Sequence, residues 1–79
     1  MANSPSTIHE RAIALGRELQ PETVRGLHRL ISDGLAAEDQ LPENQRTHGF
    51  RRFADFKEQA DGFEDAMRER GIAFTPITW

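Results

Sequence analysis

The chain has 79 residues, a formal net charge of −3 and no cysteine. Disulfide staples, a thiolate nucleophile and a Cys-based zinc site are therefore excluded, and at this length one core supplies only a few kcal/mol of net stability. Leu, Ile, Val and Phe together make 17 of the 79 residues, so the core must be thin. A thin core without staples favours self-association or a permanent partner. Residues 1–37 balance four arginines against four acids, and residues 38–79 set six basic side chains against nine acidic ones. Neither half has the basic excess of a protein that lives on phosphate backbones. The N-terminus lacks the apolar run of a secretory signal and the Arg-rich make-up of a transit peptide. No stretch approaches the roughly 20 apolar residues that span a bilayer. A soluble, cytoplasmic protein without membrane association is the expectation.

Residues 1–6 have no period and read as a flexible N-terminal tail. Thr7 with Glu10 fits a capping box, predicting a helix from Ile8. Ile8, Ala12, Leu15 and Leu19 share one face, and the pattern stops at Gln20-Pro21, where proline disfavours helical geometry in the residue before it. Pro21 can itself open the next helix, with Glu22 at the positive end of the dipole. Val24, Leu27, Ile31 and Leu35 recur at helical spacing. Asp33-Gly34 offers one end for this helix and Ala37 a later, preferred one. With only Gln20 and Pro21 between them, the first two helices are expected to form a tight corner or antiparallel hairpin that buries their stripes against each other.

Residues 38–48 are polar, contain Pro42 and Asn44, and read as a linker. The segment from Gly49 to Gly71 holds four of the five phenylalanines. At about 100° per residue, Phe53, Phe56, Ala60, Phe63 and Met67 fall within roughly 80° of arc. Arg51, Asp55, Glu58, Gly62, Asp65 and Glu69 are expected to point away, with Arg51–Asp55 and Glu64–Arg68 as pairs on the solvent face. Asp61 with Glu64 could instead cap a fresh helix and split the segment, giving a four-helix version of the fold. Gly71 followed by Ile72 predicts a left-handed helix stop. Residues 72–79, IAFTPITW, read as an extended apolar tail with no partner strand in the chain. Such a tail lies back on the helices, pairs with a second copy or binds something else. The predicted architecture is thus mainly α: a small three-helix domain over 7–71, built as a helical hairpin plus an aromatic amphipathic helix, with the extended tail following.

Positive charge and aromatic rings interleave at Arg46, His48, Phe50, Arg51, Arg52 and Phe53, the pattern that holds single-stranded nucleic acid by phosphate neutralisation and base stacking. Acids at Asp55, Glu58 and Asp61 follow at once, which favours a solvated helix start. Arg25, His28 and Arg29 lack a surrounding helix-turn-helix pattern. His9, His28 and His48 have no metal-ligand spacing. His28 with Ser32 is an i,i+4 pair, followed by Asp33, but nucleophilic catalysis also needs an orienting acid, an oxyanion hole and a pocket. The isolated glycines form no phosphate loop. No catalytic, cofactor-binding or metal-binding residue is therefore assigned. The aromatic stripe reads better as core than as interface.

The functional expectation is protein–protein interaction, as a homodimer or as an accessory subunit of a larger protein. Arg51, Arg52, Phe50, Phe74, Ile77 and Trp79 are the candidate contact residues. A small nucleic-acid-binding regulator using the Arg46–Arg52 patch is the alternative.

Overall fold

The computed structural model describes residues 7–79. The flexible tail expected over 1–6 lies outside them. Helix α1 runs from Thr7 to Glu18, α2 from Pro21 to Asp39 and α3 from Ala54 to Arg70, with one 3-10 turn at Glu43–Gln45 and no strand among the described residues. The described chain is mainly helical. Gln20 is extended (φ −61°, ψ 148°) and turns the chain, and Pro21 opens α2 at its first position, as the missing proline N–H allows. Helix α2 passes through Gly34 and ends beyond Ala37. Helix α3 continues through Asp61 and Gly62 without a second cap, so residues 54–70 are one helix.

The expected burial of the α1 and α2 stripes against each other, in a tight corner or hairpin, is not the main packing that forms. The principal neighbour of α1 is α3, and α2 packs on another side of α3. The cause is a close approach at small residues. A Cβ added at Gly62 would lie 2.5 Å from the Ala12 Cβ and 2.6 Å from the His9 carbonyl oxygen, and one added at Gly16 would lie 2.6 Å from the Ala66 Cβ. Gly62, assigned by its angle to the solvent side, is buried at this contact. Small side chains let backbones meet where larger ones would hold them apart.

Polar pairs continue along the same seam. His9 Nε2 lies 2.8 Å from Asp65 Oδ2. The Arg17 guanidinium donates to both oxygens of Glu69 at 2.9 and 2.8 Å. Arg70 Nη1 donates to the carbonyls of Gly16 and Leu19 at 2.6 and 2.7 Å, satisfying oxygens that the end of α1 leaves without intrahelical partners. Partner numbers rise together along both helices, so α1 and α3 run parallel.

On its other side α3 meets α2 in the opposite sense. His28 Nε2 and Glu64 Oε2 are 2.8 Å apart and both residues are buried. Val24, Ile31, Leu35, Ala60, Phe63 and Met67 complete the core between these helices. Phe50 comes from the connection rather than from α3, and its ring lies against Gly34 and 4.3 Å from Phe56. Phe53, expected on the buried stripe, is 51% exposed; α3 begins only at Ala54, and Phe53 is its extended N-cap.

Gly71 is left-handed (φ 69°), its N–H bonds to Arg68 and the Ile72 N–H to Met67. From there the tail doubles back over the α2–α3 groove. Phe74 stands edge-on to His28 and under the Arg68 guanidinium. The Ile77 N–H donates to Glu64 Oε2 at 3.0 Å, and the Trp79 carbonyl accepts from Arg51. Of the three fates open to the tail, this structure shows it lying on its own helices. The molecule is flat, 37 × 35 × 17 Å, with α3 in the middle.

The close contact sets a direct test by unfolding in urea. Gly62→Ala is expected to destabilise by about 1–3 kcal/mol through overpacking. Gly26→Ala, where a Cβ meets nothing within 4 Å, should stabilise by about 0.5–1 kcal/mol. Equal effects of the two would refute the packing of α1 on α3.

Candidate functional site: the pinned loop between α2 and α3

The connection between α2 and α3 runs from Gln40 to Phe53, where residues 38–48 are expected to be a linker and Gly49 to open the aromatic segment. It is instead a folded loop held by a buried carboxylate. Glu38 sits on the inner face of α2, three residues beyond Leu35, and is buried. Its Oε2 accepts the backbone N–H groups of His48 at 2.6 Å and Gly49 at 3.3 Å, and its Oε1 accepts that of Phe50 at 3.0 Å. Such convergent donors make a nest that suits a carboxylate. Burial acts to raise the Glu38 pKa, but the N–H groups of Phe50, His48 and Gly49, with the His48 ring 3.5 Å away, outweigh it and hold the carboxyl below its usual range.

Gly49 follows in a left-handed conformation (φ 66°), and its carbonyl accepts the N–H groups of Arg52 and Phe53 at 3.0 Å each. A side chain at Gly49 would also strike the Phe53 ring, 2.8 Å from where a Cβ would stand. Arg51 is next fixed by Asp39, two parallel bonds of 2.8 and 2.9 Å, and by the Trp79 carbonyl. The Asp39 carboxyl is thereby held low, first by the Arg51 bond and more weakly by the charge of Arg46. At the other end of the loop Arg46 Nε donates to the Leu41 carbonyl at 2.9 Å.

What the loop presents outward is distinct from what anchors it. Phe53 is half exposed beneath the Arg52 guanidinium, whose carbon lies 5.4 Å from the ring centroid. Leu41 is 39% exposed. Glu43, Asn44, Arg46, Gly49, Arg51 and Arg52 line an open cleft of about 560 Å³. Among the described residues neither Arg46 nor Arg52 forms an ion pair, whereas Arg51 does.

The six residues assigned to partner contact therefore separate. Arg51 and Arg52 border the cleft, with Arg51 already engaged. Phe50 is buried in the core. Phe74, Ile77 and Trp79 pack against the same chain's core. The Arg51–Asp55 pair expected along a helix gives way to Arg51–Asp39, because residue 51 precedes α3.

A second open cleft, about 580 Å³, lies between α2 and the tail, lined by Arg25, His28, Arg29, Ser32, Phe74 and Thr75 among others. There the His28 Nε2 is taken by Glu64 rather than by Ser32. Among the described residues no three His, Asp or Glu side chains stand close enough to hold a metal ion, and no helix is long and apolar enough to cross a membrane.

Glu38 and Glu64 are the residues that sequence reading missed. Both continue apolar stripes at helical spacing, Val24-His28-Ile31-Leu35-Glu38 and Phe56-Ala60-Glu64-Met67. An acid on such a stripe is the signal of a buried carboxylate with dedicated donors. Compared with protein-family models, curated proteins and solved structures, the chain has no significant match.

The low carboxyls give a pH test. Stability from Glu38 and Asp39 is fully present above the ordinary carboxylate range and is lost as pH falls through their lowered folded-state values. Glu38→Gln should lower the urea midpoint at neutral pH, flatten its fall between pH 7 and about pH 3, and speed amide exchange at residues 48–50. An unchanged pH profile would remove Glu38 from that role.

Proposed function

We propose that this protein is a small interaction module, acting as a homodimer or as an accessory subunit of a larger protein, and that the pinned loop is its contact surface. The observation that carries this reading is Phe53: a large aromatic side chain left 51% exposed on a loop whose backbone is held by buried bonds at Gly49 and Phe50. Ordering a contact loop before binding removes part of the entropy that association costs, and aromatic and Arg side chains are favoured anchors. The tail, the other candidate source of such anchors, packs partly buried against its own core.

The alternative is a nucleic-acid-binding regulator. It is favoured by the three arginines that border one cleft beside Phe53, and opposed by Glu43 in the same lining and by the net charge of −3.

Light scattering and affinity capture from the native host, run on the full chain, test the main reading. Phe53→Ser is expected to lose the dimer mass or the captured partner. Leu30→Ser, on an exposed side chain of α2, should keep it. Partner retention by Phe53→Ser, or equal loss in both variants, counts against the loop.

A further inference from the structure

We propose that the loop's partner is an acidic peptide segment bearing a large apolar side chain, its carboxylates taken by Arg46 and Arg52 and its apolar group by the exposed face of Phe53. This rests on the interaction reading above and adds the chemistry of the occupant. The charges single it out. Around the cleft the Arg51 charge is cancelled by Asp39 through two short bonds, while Arg46, which acts on Asp39 only more weakly through its charge, and Arg52 make no ion pair among the described residues. The cleft is thus an excess of guanidinium donors on a protein that is acidic overall.

Arg46 has its Nε on the Leu41 carbonyl, which directs the head group and leaves its terminal nitrogens for an incoming carboxylate in the planar geometry that guanidinium favours. The Arg52 guanidinium carbon lies over the Phe53 ring, 5.4 Å from its centroid, so a group laid on the part of the ring that is exposed has an apolar surface with a cation beside it. A phosphate backbone would find the same cations, but it would also meet Glu43 within the cleft and Asp55 in the first turn of α3. An acidic protein segment can place its carboxylates at two points and avoid those acids, so complementarity of local charge favours it.

The test is selection of random linear peptides, displayed on phage, against the immobilised full chain, followed by measurement of the enriched peptides in solution. The expected result is a set rich in Asp and Glu around a Phe, Leu or Trp. Its binding should weaken about tenfold or more in R46E/R52E, persist in R46K/R52K, and fall with added salt. Circular dichroism establishes that each variant is folded, and R52E alone serves if the double variant is not. Enrichment of neutral or basic sequences, absence of enrichment, or equal binding to R46E/R52E would overturn the proposal. Salt-dependent binding of a fluorescent single-stranded oligonucleotide, abolished by R46E/R52E, would also overturn it in favour of nucleic acid. If Phe53→Ser loses a host partner while no acidic peptide is selected, the interaction reading stands and only the acidic class of partner falls.

Discussion

A single buried carboxylate, Glu38, determines the course of the chain between its second and third helices. Its two oxygens collect three consecutive backbone N–H groups, of which the buried ones of Gly49 and Phe50 would be costly to leave unpaired. With that backbone fixed, the Phe50 ring is delivered onto Gly34 and Phe56, and Arg51 arrives where it can bind Asp39 and the end of the tail. Helix α3 then starts at a defined point, with Phe53 outside it. Burial of the ring, the loop's shape and the exposure of Phe53 all follow from one acid on the inner face of α2.

Polar nodes of this kind recur because the apolar area is small. Glu64 plays the equivalent part on α3, joining His28 of α2 to the Ile77 N–H of the tail. Arg70 closes the end of α1. Replacing one partner of a buried, satisfied bond strands the other, so these nodes demand specific geometry as well as adding stability. The α1–α3 seam solves the same problem in another way, by bringing backbones close at Gly16 and Gly62.

Much of the helix content was legible. Proline at 21, the stripe from Val24 to Leu35 and the Gly71 stop each act locally, and the structure places them as local rules require. Helix partnership was not legible. Angle alone sent Gly62 to solvent, because glycine has no hydrophobic signature and its value lies in what approaches it. Within the basic-aromatic stretch, burial is the reverse of what the helical stripe leads one to expect. Phe50 and Phe53 are three apart and look alike in a helical projection, yet the left-handed turn at Gly49 puts one inside and the other out. Phe74, Ile77 and Trp79 lacked a visible partner because their groove is made by two helices distant in sequence.

The functional reading depends on the loop being formed before any partner arrives, as the Glu38 bonds require. Backbone 15N relaxation of the free, full chain at neutral pH measures this most directly. The account predicts order parameters at residues 47–53 near the value of about 0.85 found for rigid backbone, matching those of α2 and α3. Values below about 0.6 there, with the helices rigid, would contradict it.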